Sequence, residues 1–138
     1  MFAADLENRS VAEDPFLSRE EMLQLRSLLI ERGRDILDNG QGAVQELTVE
    51  REHEADEVDV ASTESERESK LRLAGRERLM LNKIRYALNR IEQGEYGECE
   101  SCGEPIGFKR LLARQVATRC IDCKTREEQL EHKKGRAF

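Results

Sequence analysis

Cys99-Glu-Ser-Cys102 and Cys120-Ile-Asp-Cys123 hold all four cysteines of a 138-residue chain, and seventeen residues separate the two pairs. Two tight Cys-x-x-Cys turns at this separation match the spacing of paired zinc knuckles. Four thiolates close a tetrahedral shell around Zn²⁺ and leave no position for a substrate, so the expected site is structural rather than catalytic. Gly103, directly after Cys102, supplies the backbone freedom with which a knuckle wraps its metal. Two disulfides or a free redox pair are the alternatives. The start of the chain, Met1-Phe2-Ala3-Ala4, lacks the basic residues and long apolar stretch of a signal peptide. A reducing cytoplasm is therefore expected, and disulfides are disfavoured.

Composition narrows the fold further. Charged residues make up 38% of the chain and aromatic residues 4%, with no Trp, which is too little bulky apolar material for a large globular core. Long paired helices stapled by a metal suit such a chain better. No apolar run approaches the length needed to cross a membrane. The net charge of −6 conceals an asymmetry: residues 1–45 carry −4, residues 46–68 carry −8 and residues 69–138 carry +6. An acidic middle and a basic C-terminal half imply two electrostatic tasks at separate places. Sequence-specific DNA binding is not expected of an acidic chain, because duplex binding relies on Lys and Arg neutralising phosphates.

Along the chain, an acidic leader (residues 1–17) contains Pro15. Ser18-Arg-Glu-Glu21 then reads as a capping box, with Leu17 and Met22 placed as a hydrophobic staple. Met22, Leu25, Leu29, Ile36, Val44 and Leu47 keep roughly to one helical stripe, which Arg32 interrupts. Gly40 and Gly42 interrupt it more seriously, since each costs about 1 kcal/mol relative to Ala in a helix. A kink or soft spot is expected there, rather than a domain boundary. Ser62 or Thr63 reads as the cap of a second helix that runs to Gln93, with Gly94 as its stop. Leu81, Ile84, Leu88 and Ile91 step by three, four and three, a heptad seam. Helices this long pair as an antiparallel hairpin (residues 18–93), with a tip near residues 55–61. Residues 94–138 form a zinc base in which a short mixed segment, Pro105 to Val116, leads to the second knuckle. A last helix is expected from about Cys120 to Lys134. The expected fold class is thus mainly α: a long antiparallel two-helix coiled-coil hairpin on a compact base, which carries a four-cysteine zinc finger and a C-terminal helix.

Acids near a hairpin turn have a bland explanation, since they keep the tip solvated and favour the helix dipole. Here they accompany more specific features. Asp56, Asp59 and Ala61 at the tip stand with Tyr96-Gly97-Glu98-Cys99-Glu100-Ser101-Cys102-Gly103, Leu112-Ala113-Arg114 and Cys120-Ile121-Asp122-Cys123-Lys124. Together these resemble the DksA/TraR family over roughly residues 18–134. The zinc block alone is family-specific; the tip alone is a weak signal.

The resemblance implies direct binding to bacterial RNA polymerase, with the hairpin entering the secondary channel and the two tip acids approaching the catalytic region without doing chemistry. It also implies lowered initiation at ribosomal RNA promoters, raised initiation at some biosynthetic ones, and reinforcement by the alarmone ppGpp. Lys83, Arg114, Lys124 and Arg76 match the family's basic positions for ppGpp. Basic residues from three segments suit a tetraphosphate, Arg through paired donors and Lys as a movable charge. A generic solvated basic surface is the plain alternative. Val60 departs from the family, where Arg is frequent between the second acid and Ala, and leaves the tip acids less neutralised. A cytoplasmic monomer with one structural Zn²⁺ is expected.

Three other readings compete. A Gre-type transcript-cleavage factor also brings an acidic hairpin to the polymerase, but such factors lack this four-cysteine base. A zinc-dependent nucleic-acid module is disfavoured by the net charge and by the lack of aromatic platforms. A thiol redox protein would need reactive cysteines, and a zinc site that releases its metal on oxidation lies between the two. Catalysis is not expected: His53 and His132 are far apart and lack a nucleophile partner.

Overall fold

The computed structural model describes the backbone of residues 9–52 and 57–136 and the side chains of residues 9–39 and 63–134. Its described residues form four helices, α1 (Arg19–Glu52), α2 (Glu57–Gln93), α3 (Phe108–Ala113) and α4 (Ile121–Arg136). No described helix is long and apolar enough to cross a membrane. Contacts divide the chain into unit 1 (residues 1–30 and 84–138) and unit 2 (residues 31–83). Unit 1 contains the start of α1 and the end of α2, and unit 2 the end of α1 and the start of α2, as an antiparallel pair requires.

The first helix begins where the capping box places it. The Ser18 hydroxyl accepts the Glu21 N–H at 3.2 Å, and the Glu21 carboxylate accepts the Ser18 N–H at 2.9 Å. Two of the helix's otherwise unpaired donors are met reciprocally, and Leu17 and Met22 are both buried beside them. Helix α1 continues through Gly40 and Gly42 without a break in its assignment. At about 51 Å for 34 residues, α1 has enough hydrogen-bonded turns on either side of Gly40 and Gly42 to carry their propensity cost.

The second helix starts earlier than its cap signal suggested. Ser62 and Thr63 lie inside α2, which begins at Glu57. Neither residue costs more than about 0.7 kcal/mol in a helix interior, whereas Glu57 and Asp59 put negative charge at the positive end of the dipole. Gly94 ends α2 as expected, with φ of 73°.

In unit 1 the seam is apolar. Met22, Leu25 and Leu29 of α1 and Ile84, Leu88 and Ile91 of α2 are essentially inaccessible to solvent. Each contributes about 1.5–3 kcal/mol by leaving water. Tyr96, Ile106, Leu111, Val116 and Ala117 extend this core under the cysteine turns. In unit 2 the same heptad register continues along α2 through Leu81, Glu77, Ala74, Lys70, Arg67 and Thr63, all half-buried. Leu71, Leu73 and Leu79 point to solvent instead. Among the described residues the fully buried aliphatic side chains therefore lie in unit 1, and beyond Leu81 the α2 seam in unit 2 is mostly polar.

These differences translate into stability. Leu88→Ala should lower the unfolding free energy by about 2–5 kcal/mol, and Ser18→Ala by about 1 kcal/mol. Leu79→Ala, at a side chain 63% exposed, should stay within about 0.5 kcal/mol of the parent. Urea unfolding followed by circular dichroism checks all three.

Candidate metal centre

The two Cys-x-x-Cys turns are delivered by different means. The first follows α2 directly. Cys99 N–H donates to the Glu104 carbonyl at 2.8 Å and Gly103 N–H to the Cys99 carbonyl at 3.0 Å, closing a tight loop around Cys102. Gly103 has φ of 76°, which a side chain would strain. The second turn is the N-terminus of α4: Cys120 precedes its first residue and Cys123 lies in its first turn, with Lys124 N–H donating to the Cys120 carbonyl at 3.0 Å. Glu100 N–H donates to the Thr118 carbonyl at 3.0 Å and ties the two turns together.

The four Sγ atoms of Cys99, Cys102, Cys120 and Cys123 lie within 4.8 Å of one another. None is in a disulfide. Cys102 and Cys120 Sγ are 3.6 Å apart, close to the roughly 3.8 Å edge of a tetrahedron with metal–sulfur bonds of about 2.3 Å. The donor set and its spacing fit Zn²⁺. Exposure is uneven: Cys99 and Cys120 are buried, Cys123 is half-buried and Cys102 is exposed. An open cavity of about 400 Å³, lined by Cys102, Cys120, Cys123, Ile106, Ile121 and Arg126, gives access to the exposed side.

Protons compete for these sulfurs. Burial opposes ionisation of Cys99, but backbone hydrogen bonds from Cys120, Cys102 and Ser101 outweigh it and hold the thiol down at about 6. Hydrogen bonds within the cluster, from Cys120 and Cys102 first, push Cys123 up to about 12. Cys99 therefore ionises far more readily than Cys123.

Tyr96 and Arg90 brace the base. The buried Tyr96 hydroxyl donates to the Gln115 carbonyl at 2.6 Å and links the first knuckle to the segment before the second. Burial pushes its pKa well above that of a free phenol. Arg90, only 5% exposed, donates through one terminal nitrogen to the Glu95 carbonyl at 2.7 Å and to the Glu98 carbonyl. Nothing in the sequence marked Arg90, a basic residue at the end of a helix.

The other residues singled out from sequence lie on several elements. Asp56 lies outside the described residues. Asp59 and Ala61 occupy the first turns of α2, and their side chains, like that of Val60, lie outside the described ones. Arg76 and Lys83 are exposed in unit 2, seven residues apart on α2. Arg114 is exposed in unit 1. Lys124, also in unit 1, meets Glu127 at 3.6 Å. Arg119 binds the same carboxylate and is the main reason that it ionises more readily than usual. His132 is exposed on α4, and His53 lies outside the described residues.

Because Cys99 enters as a thiolate at neutral pH, zinc binding at pH 7 should release fewer than four protons. The number should rise towards four, and affinity should fall, as pH drops below about 6. Calorimetric titrations in buffers of different ionisation enthalpy measure the count.

Comparison with known proteins agrees with this architecture. Residues 94–129 match the family model described as prokaryotic dksA/traR C4-type zinc finger, and residues 21–91 match that of the DnaK suppressor protein DksA, N-terminal domain. The chain is 37% identical over 123 residues to the RNA polymerase-binding transcription factor DksA of Caulobacter vibrioides, covering 89% of this chain and 87% of that protein. It is 35% identical over 115 residues to the protein of the same name from Escherichia coli K12, covering 83% and 76%. The structure of transcription factor DksA2 from Pseudomonas aeruginosa superposes with a TM-score of 0.78 at 36% identity, covering 96% of this chain and 99% of that one. The two long helices, the four-cysteine turns and these matches make the chain a member of the DksA/TraR family.

Proposed function

We propose that this chain is a transcription regulator that binds bacterial RNA polymerase directly, with its four-cysteine base holding one structural Zn²⁺. The observation that carries this reading is the pairing of a closed four-sulfur cluster with two long helices in a chain whose curated relatives bear the name RNA polymerase-binding transcription factor. A closed sulfur shell supplies no open coordination position, so the metal's part is to fix the base. The work is then done by binding, and the chain is not an enzyme.

The finer reading follows the family resemblance. Paired helices with a polar seam and charged faces form a narrow hydrated stalk, which suits entry into the polymerase secondary channel. The acids at residues 56, 57 and 59 would arrive near the polymerase's metal-dependent centre and change its electrostatics without chemistry of their own. A change in promoter-complex stability then requires only that the contacts differ between two states of that complex. Val60 leaves the acid pair without the neighbouring positive charge frequent in the family. Arg76, Lys83, Arg114 and Lys124 are the groups that would meet ppGpp at the polymerase surface, and Lys124 would exchange Glu127 for a phosphate. The protein would act as a cytoplasmic monomer.

Transcription from a ribosomal RNA promoter by purified polymerase, with and without ppGpp, tests this. The parent should inhibit, more strongly with ppGpp, and Asp59→Asn should lose the effect while still binding polymerase. Absence of inhibition by zinc-loaded, polymerase-bound parent protein would refute the promoter-level mechanism. Stimulated RNA cleavage in stalled elongation complexes, dependent on Asp56 or Asp59, would replace it with transcript cleavage.

A further inference from the structure

The leader received no role from the sequence, and it lies outside both segments matched by the family models, residues 21–91 and 94–129. Its described part, residues 9–17, is built into the first knuckle. One oxygen of the Asp14 carboxylate accepts the Phe16 N–H at 2.9 Å, which fixes the turn at Pro15. The other accepts the Gly97 N–H at 2.8 Å, two residues before Cys99. Ala12 N–H donates to the Ile91 carbonyl at 3.2 Å, near the end of α2. The approach is so close that side chains are excluded. A Cβ on Gly94 would lie 2.3 Å from the Glu13 carbonyl oxygen, and one on Gly97 would lie 2.8 Å from Asp14 Oδ1 and 3.0 Å from Leu17 Cγ.

Arg90 grips the same segment through the carbonyls of Glu95 and Glu98. The strand of chain that carries Cys99 is thus held by a carboxylate on its N–H side and a guanidinium on its carbonyl side. Both are charge-assisted bonds, which are stronger and more directional than neutral ones. Cys102, by contrast, is exposed beside the open cavity.

We infer that the leader is a working part of the metal centre: Asp14 is a positioning residue that clamps the approach to Cys99, so that this ligand keeps its place while the metal exchanges through the Cys102 side. Partners behind the ligands commonly change metal affinity 10–100-fold when removed, because they orient the donor atoms without touching the metal. The inference rests on the zinc reading and not on polymerase binding.

The test is the rate at which zinc-loaded full-length protein surrenders its metal to excess colorimetric chelator, well below the unfolding temperature. Asp14→Ala should release zinc about tenfold faster. Gly97→Ala, which keeps the carboxylate but drives the leader away, should do the same, and the double variant should release no faster than either single one. Ser18→Ala loosens the neighbouring helix start without touching either knuckle and should release zinc at the parental rate. Cobalt-substituted Asp14→Ala should keep the absorption of a tetrahedral four-thiolate site, since the ligands are unchanged. Parental release by both Asp14→Ala and Gly97→Ala, or equal acceleration by Ser18→Ala, would overturn the clamp. A parent protein that takes up no zinc would instead overturn the metal reading itself.

Discussion

Unit 1 depends on bringing four sulfur atoms within 4.8 Å of one another. Two of those sulfurs follow the end of a long helix and two open a shorter one, so closing the shell around a cation joins α2 to α4 through a single point. The apolar core beneath is small: two short runs of aliphatic side chains from α1 and α2, with Tyr96 and a few neighbours under the knuckles. A core of that size contributes limited stability in a chain with so few aromatics, which is why a metal or an equivalent staple is needed. The uneven acidity of Cys99 and Cys123 reflects the same crowding, since backbone hydrogen bonds favour the Cys99 thiolate while hydrogen bonds from neighbouring cysteines hold the proton on Cys123.

Polarity is distributed to match. Unit 1 gathers the fully buried apolar seam and the cluster, whereas beyond Leu81 the α2 seam of unit 2 runs through Glu77, Ala74, Lys70, Arg67 and Thr63, and Leu71, Leu73 and Leu79 face solvent. Polar seam positions give up stability and specify register. Local stability should therefore be highest near the metal and fall along the helices away from it. The two long helices thus change from an apolar to a mostly polar α2 seam beyond Leu81.

Much of this could be read from the chain itself. The capping box at Ser18, the stop at Gly94, the buried positions Ile84, Leu88 and Ile91 and the four-cysteine cluster all appeared where the sequence placed them. Each rests on short-range geometry: a hydroxyl and a carboxylate three residues apart, a glycine with positive φ, a period of 3.5, two turns of four residues. The failures were local as well. Ser62 and Thr63 look like caps, yet a cap signal is worth only about 1 kcal/mol. The acidic residues before them offer a competing helix start. Gly40 and Gly42 do not end α1, which spans 34 residues across them.

By itself, then, the sequence determined the helical class, the metal ligands and the apolar seam at the base, because these follow from spacings that any folded form of the chain must respect. Tertiary structure alone decided that the leader belongs to the metal centre. Asp14 and Gly97 are 83 residues apart, and a lone Asp before Pro signals a turn, not the distant N–H that it will accept. Arg90 is a similar case: a basic residue near a helix C-terminus is ordinarily a solvated partner of the dipole. Only the fold of the knuckle over it leaves it 5% exposed. Both side chains acquire their roles from backbone groups of another segment, and no local pattern of residue types encodes where such groups will arrive.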